Sequence, residues 1–106
     1  TLPQLVELLS ANPARLWGLW PSKGVLQPGS DADIVVYDPE PMGEVRADAL
    51  HNLADYSPYE GMPIRGGVRT TISRGEIIFH NGRLSGRKGR GKFVRRRSLQ
   101  EGYGPR

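Results

Sequence analysis

Between Val68 and Leu84 the sequence reads VRTTISRGEIIFHNGRL, and this stretch restricts the fold more than any other. Two β-rich runs flank Arg74-Gly75. Asn81-Gly82 is a dipeptide suited to the left-handed backbone of a tight hairpin turn. The stretch therefore predicts antiparallel strands, and an antiparallel sheet must bury at least one face against something. The rest of the chain has to supply that cover.

It supplies little. In LPQLVELL, residues 2 to 9, Leu2, Leu5, Val6, Leu8 and Leu9 recur at spacings of three and four, the apolar stripe of an amphipathic helix. The following SANP is expected to break that helix. Asn12 would then cap a second short helix, PARLWGLW, with Pro13 as its first residue and Gly18 and Pro21 limiting it to about two turns. Helices this short are unstable alone and have to pack on something.

From Lys23 the period changes. KGVLQPGSDADIVVYDPEP predicts a short strand, a Pro-Gly turn and a second strand closed by Pro39 and Pro41. Residues 43 to 67 show no clean period beyond a helical turn near Ala47 to Leu50. Such a run suits a functional loop or a segment lying on another part of the protein. Gly and Pro together make up 23 of 106 residues, about twice ordinary usage, so turns and loops occupy much of the chain. Two helices and four or five strands are too few to close a sheet covered on both faces. The expected class is mixed α+β, resembling the end of a larger architecture. The start at Thr1, without an initiator methionine, points the same way, to a fragment or processed product.

The net charge of +4 is unevenly distributed. From Arg83 onward nine Lys and Arg face one acid, Glu101, whereas residues 1 to 82 carry six Lys and Arg against ten acids. The basic character belongs to an extended, Gly-rich tail. Its segment GRKGRGKFVRRR has seven cations in twelve residues around Phe93. Such a run can bind nucleic acid through counterion release, or lie across an acidic neighbouring surface with Phe93 and Val94 as apolar anchors. The acidic body and the lack of a nucleic-acid-binding motif favour the second. No cysteine is present, which excludes a disulfide scaffold and a thiolate metal site. No apolar run approaches the roughly 20 residues of a membrane span, and no signal peptide is visible.

Candidate chemistry is sparse. The three aspartates of GSDADIVVYDP invite a metal site. On a strand, however, Asp31 and Asp33 share a face while Asp38 lies roughly 16 Å or more further along. Asp31 fits a turn after Pro28-Gly29, Asp38 fits a strand stop before Pro39, and Asp33 is expected to bond backbone groups of a neighbouring strand. His80 sits at a strand end beside a turn. His51 lies in LHNLADYSPYEG with Asn52, Asp55, Tyr56, Tyr59 and Glu60, a polar and aromatic cluster that suits either structure or a small ligand. HxH, HExxH, GxSxG and a Walker loop are all missing.

SANPARLWGLWPSKGVLQPGSDADIVVYDP resembles the segment following the catalytic barrel in the amidohydrolase superfamily. HNLADYSPYEGMPIRGGVRTTISRGEIIFHNGRLSGRKGRGKFVRRR resembles, more narrowly, the C-terminal end of D-hydantoinases and dihydropyrimidinases. The resemblance implies the C-terminal portion of a longer cytoplasmic hydrolase that opens cyclic amides, hydantoins or dihydropyrimidines, to N-carbamoyl amino acids. Residues 1–22 would be the last helices of a (β/α)8 barrel, and 23–84 part of a small composite β-sandwich with an inserted loop at 43–67. Residues 85–106 would be the extended basic tail. The family's binuclear centre, usually zinc, is held by four histidines, a carboxylated lysine and an aspartate. No position here matches those motifs, so no catalytic, substrate-binding or metal residue is assigned. The implied partners are the remainder of the same enzyme and further copies in a dimer or tetramer, with no nucleic acid and no membrane. Alternatives are a non-catalytic module using the tail on nucleic acid, or part of a non-enzymatic dihydropyrimidinase-like protein.

Overall fold

The computed structural model describes residues 1–50 and 53–96. Leu2–Val6 (α1) and Asn12–Leu16 (α2) are joined by a π-helical turn, Glu7–Ala11. Val6, Glu7, Ala11 and Asn12 all keep right-handed helical dihedrals, so the chain does not break at SANP. This corrects the expected pair of helices. Pro13 has no N–H, and its ring crowds the carbonyl four residues earlier. The wider π turn, closed by the Asn12 N–H donating to Glu7 O, gives the ring room within a continuous helix. Asn12 is accordingly not a cap; its side-chain oxygen accepts from Arg15 Nη1 at 3.4 Å.

The expected strand around residues 23 to 28 does not form either. The chain after α2 coils back on the helix instead. Leu19 N–H donates to Ala14 O at 2.8 Å, Lys23 N–H to Leu19 O at 2.9 Å, and Asp31 N–H to Ser22 O at 2.9 Å. Gly24 is the closest point of this contact. It adopts φ +81°, and a Cβ there would lie 2.5 Å from Ala14 Cβ and 3.0 Å from Ser10 O. Ala14 and Ala11 are buried beneath it, at 5% and 8% exposure. A close approach of glycine to alanine, rather than a β pairing, accounts for the small residues in NPA and KG.

Four antiparallel strands follow in the order β1-β2-β3-β4: Ile34–Glu44 (β1), Pro63–Ser73 (β2), Glu76–His80 (β3) and Arg83–Leu84 (β4). Both turns expected from the sequence are present. Arg74 and Gly75 have φ +48° and +77°, and Asn81 and Gly82 have φ +47° and +81°, the double left-handed geometry whose twist matches a hairpin. β1 does not stop at Pro39. Its pairing shifts between Asp38↔Gly67 and Met42↔Arg65, so Pro39, Glu40 and Pro41 form a bulge opposite Gly66. An edge strand tolerates this, because a missing N–H there breaks no essential ladder bond. The Tyr37 ring fills the bulge: its hydroxyl donates to Arg65 O at 3.0 Å and occupies the space a Cβ on Gly66 would need.

β2 likewise begins at Pro63, so the aperiodic run is shorter than the expected 43 to 67, with Gly43 and Glu44 already pairing with Ile64 and Pro63. The single turn at Ala47–Ala49 matches the helical turn expected there. Prolines and Gly66-Gly67 interrupt the alternation of side chains in both strands and hide their ends from a pattern search.

No strand packs against the helix among the described residues. Val35 and Val36 point to opposite faces of the sheet, and both are exposed. Leu2, Val6, Leu8 and Leu9 are exposed on the helix, Leu9 at 73%. The accessible surface is 9190 Å², against about 5,900 Å² for a compact monomer of this mass. The radius of gyration is 16.3 Å, against about 13 Å for a globule of this length. Among the described residues one sheet and one helix are present, each without a covering layer.

Gly24→Ala should therefore be costly. Its Cβ meets Ala14 and its backbone is held at positive φ, so a loss of about 2 kcal/mol or more is expected in denaturant unfolding. A paired Ala14→Gly change would relieve the clash and recover only part of that loss.

Candidate functional site

The acidic stretch before β1 is where carboxylates gather, and the structure ties two of the three into one knot. Lys23 Nζ lies 2.7 Å from Asp31 Oδ2 and also binds Asp33 Oδ2. The other oxygen of Asp33 accepts the Arg74 N–H at 2.7 Å, and Gly75 N–H donates to Ala32 O at 3.0 Å. Asp33 thus does bond backbone, but that of the turn between β2 and β3 rather than of a neighbouring strand as expected. Asp38 is separate: its Oδ1 accepts the Glu40 N–H at 3.1 Å, fixing the bulge rather than ending the strand.

Desolvation works against both charges in the knot, but their mutual bonds outweigh it. Hydrogen bonds to Asp31 and Asp33 raise the Lys23 ammonium above its usual pKa. Hydrogen bonds from Lys23 and the Arg74 backbone hold Asp33 below the usual carboxylate range. A carboxylate this engaged is a poor base and a poor ligand. Sequence reasoning missed Lys23; the available signal was one cation just ahead of an acid-rich stretch.

His80 and Glu60 are also structurally occupied. His80 Nδ1 lies 2.9 Å from the hydroxyl of buried Thr70, and its Nε2 lies 3.1 Å from Asn81 Nδ2. In the tyrosine-rich loop Glu60 Oε2 accepts the Ala47 N–H at 2.6 Å and Ser57 Oγ accepts the Tyr59 N–H at 3.2 Å, while Tyr56 and Tyr59 are exposed. His51 and Asn52 lie outside the described residues. Among the described residues no group of three or more His, Cys, Asp or Glu is placed to hold a metal ion, so the residues present do not fit a binuclear zinc centre. No helix among them is long and apolar enough to cross a membrane.

The tail is extended through Arg96, and residues 97 to 106 lie outside the described region. Arg90 Nη2 donates to Ser73 O at 2.7 Å and lies 3.3 Å from Glu76 Oε2; Arg87 lies 3.8 Å from the same carboxylate. Phe93 is 90% exposed. Among the described residues the arrangement offers no cluster of metal ligands. It offers surfaces for docking: the leucine stripe of the helix, both faces of the sheet, and Phe93 of the tail.

The knot predicts an acid sensitivity of definite sign. Asp33 has a folded pKa below its unfolded value of about 3.9, so its contribution is present above that value and is lost as pH falls through the folded pKa. Lys23 behaves oppositely: its contribution is present below about 10.4 and is lost as pH rises through its raised folded value. Partial exposure and solvent screening keep each effect below about 1 kcal/mol. Thermal unfolding followed from neutral pH into acid should show a fall that Asp33→Asn flattens.

Residues 1–79 match the amidohydrolase family. D-phenylhydantoinase of Escherichia coli O1:K1 is 52% identical over 97 residues, which cover 92% of this chain and 21% of that protein. A solved structure of D-hydantoinase superposes with a TM-score of 0.89 at 42% identity, covering 93% of this chain and 22% of its own. L-hydantoinase (dihydropyrimidinase) from Arthrobacter aurescens gives 0.85 at 40% identity, covering 91% and 21%. The chain spans about a fifth of the length of these relatives.

Proposed function

Because this chain belongs to the amidohydrolase family, in its hydantoinase and dihydropyrimidinase group, we propose that it is the C-terminal structural part of a metal-dependent hydrolase. That enzyme opens cyclic amides, hydantoins or dihydropyrimidines, to N-carbamoyl amino acids. The 52% identity to D-phenylhydantoinase over 97 residues carries the reading. It also favours a catalytic parent over a non-enzymatic relative.

In this reading residues 1–22 close the catalytic barrel, 23–84 form part of a β-sandwich, and 85–106 form an assembly tail. The missing cover of the helix and sheet supports it. Those apolar surfaces belong against the barrel and the N-terminal sandwich strands of the same enzyme, and its copies associate as a dimer or tetramer in the cytoplasm. The zinc ligands and the groups that move protons then lie in the remainder of the enzyme. This chain's residues contribute position: Gly24 against Ala14 sets the helix, and the Lys23–Asp33 pair sets the sheet.

The nucleic-acid alternative has no supporting observation. Of the tail cations, Arg90 is turned in on Ser73 O and Glu76, its side chain largely buried.

The chain incubated with zinc and a hydantoin should show no ring opening; turnover would overturn the proposal. Produced together with the complementary four-fifths of E. coli D-phenylhydantoinase, it should restore activity that neither piece has alone. The isolated chain should also bind apolar dyes and self-associate, because unpaired strand edges and exposed leucines seek cover. Sedimentation of a stable, dye-silent monomer would contradict that.

A further inference from the structure

The turn Arg74-Gly75 is gripped from two sides by segments far apart in the sequence. On one side Asp33 accepts the Arg74 N–H at 2.7 Å, and Ala32 O accepts the Gly75 N–H at 3.0 Å. Asp33 also binds Lys23, whose neighbour Gly24 sits against Ala14 of the helix. On the other side the tail folds back. Arg90 Nη2 donates to Ser73 O at 2.7 Å, and the Arg74 guanidinium donates to Arg90 O. The Arg90 side chain is only 17% exposed, although Phe93 three residues later is almost fully exposed.

Arg74 is therefore shared. Its backbone N–H belongs to the loop before β1, and its side chain belongs to the tail. Its φ of +48° is unusual for a residue with a side chain, and the bond from its N–H to Asp33 helps to hold it there. That backbone conformation in turn aims the guanidinium at Arg90 O.

We propose that Arg74 couples the two sides, making the β2–β3 turn a clasp through which the helix–sheet junction fixes where the basic tail leaves the sheet. Releasing Asp33 relaxes the turn and misdirects the Arg74 side chain, so the tail loosens. Releasing Arg90 removes a bond from Ser73 O and the anchor of the Arg74 side chain, so the turn loosens in reply. Two groups acting through a shared residue should be non-additive. The inference concerns this chain's own conformation and does not depend on the hydrolase reading.

Amide hydrogen exchange and limited trypsinolysis of the full chain test it, comparing Asp33→Ala, Arg90→Gln and the double variant, with the exposed Arg96→Gln as control. Each single change should speed exchange at Ser85, whose N–H is bonded to Ile78 O, and cleavage after Lys92 roughly tenfold, as for loss of one charge-assisted hydrogen bond. The double variant should fall well short of the product of the two, and the control should change nothing. Should Asp33→Ala unfold the chain, Arg74→Gly serves in its place. Glycine keeps the positive φ while removing the guanidinium, so cleavage after Lys92 should rise while the Asp31 and Gly75 amides stay protected. The proposal fails if Asp33→Ala loosens the Asp31 and Gly75 amides without moving the tail, if the two changes multiply independently, or if Arg74→Gly leaves the tail as resistant to cleavage as before.

Discussion

Asp33 is the point on which the described structure depends, because one carboxylate closes two connections. One oxygen takes the ammonium of Lys23, the residue beside the glycine that rests on the helix. The other takes the N–H of Arg74 and so holds a left-handed hairpin turn. Among the described residues no layer lies between helix and sheet, and the bonds at this junction come from the short segment around Lys23, Asp31, Ala32 and Asp33. Polar bonds at the surface contribute modestly when each is considered alone. Here they determine geometry where burial does not.

That division of labour explains the character of the surface. A domain of this size normally gains most of its stability from burying apolar side chains. The buried apolar residues described here are two alanines, Ala11 and Ala14, while leucines and valines at the expected core spacings face outward. Such an arrangement suits a part whose core is completed by other elements. Its 52% identity to about a fifth of a D-phenylhydantoinase agrees with that character.

Much of this is legible in the amino-acid sequence. The Asn81-Gly82 turn follows from a pair that accepts positive φ twice in succession, and the Arg74-Gly75 turn from the β-rich runs on either side of it. The separation of Asp38 from Asp31 and Asp33 follows from strand rise alone. Three elements differ from the local rules. At SANP a π turn within the helix itself accommodates Pro13, so no break occurs. At Pro39 the edge strand bulges opposite Gly66 and continues. At KGVLQ, Gly24 docks on Ala14 in place of a strand. In the last two the local rule yields to a partner on another segment.

The sequence by itself determined the turns, the apolar spacing, the acidic body with its basic tail, and the want of any ligand motif. These follow from backbone preferences and side-chain chemistry that act over a few residues. Only the tertiary structure decided that Lys23 joins Asp31 and Asp33, that Asp33 reaches Arg74, and that Arg90 returns to Ser73 and Glu76. Those pairings join charges drawn from three separate segments, and folding alone selects which of many possible partners meet.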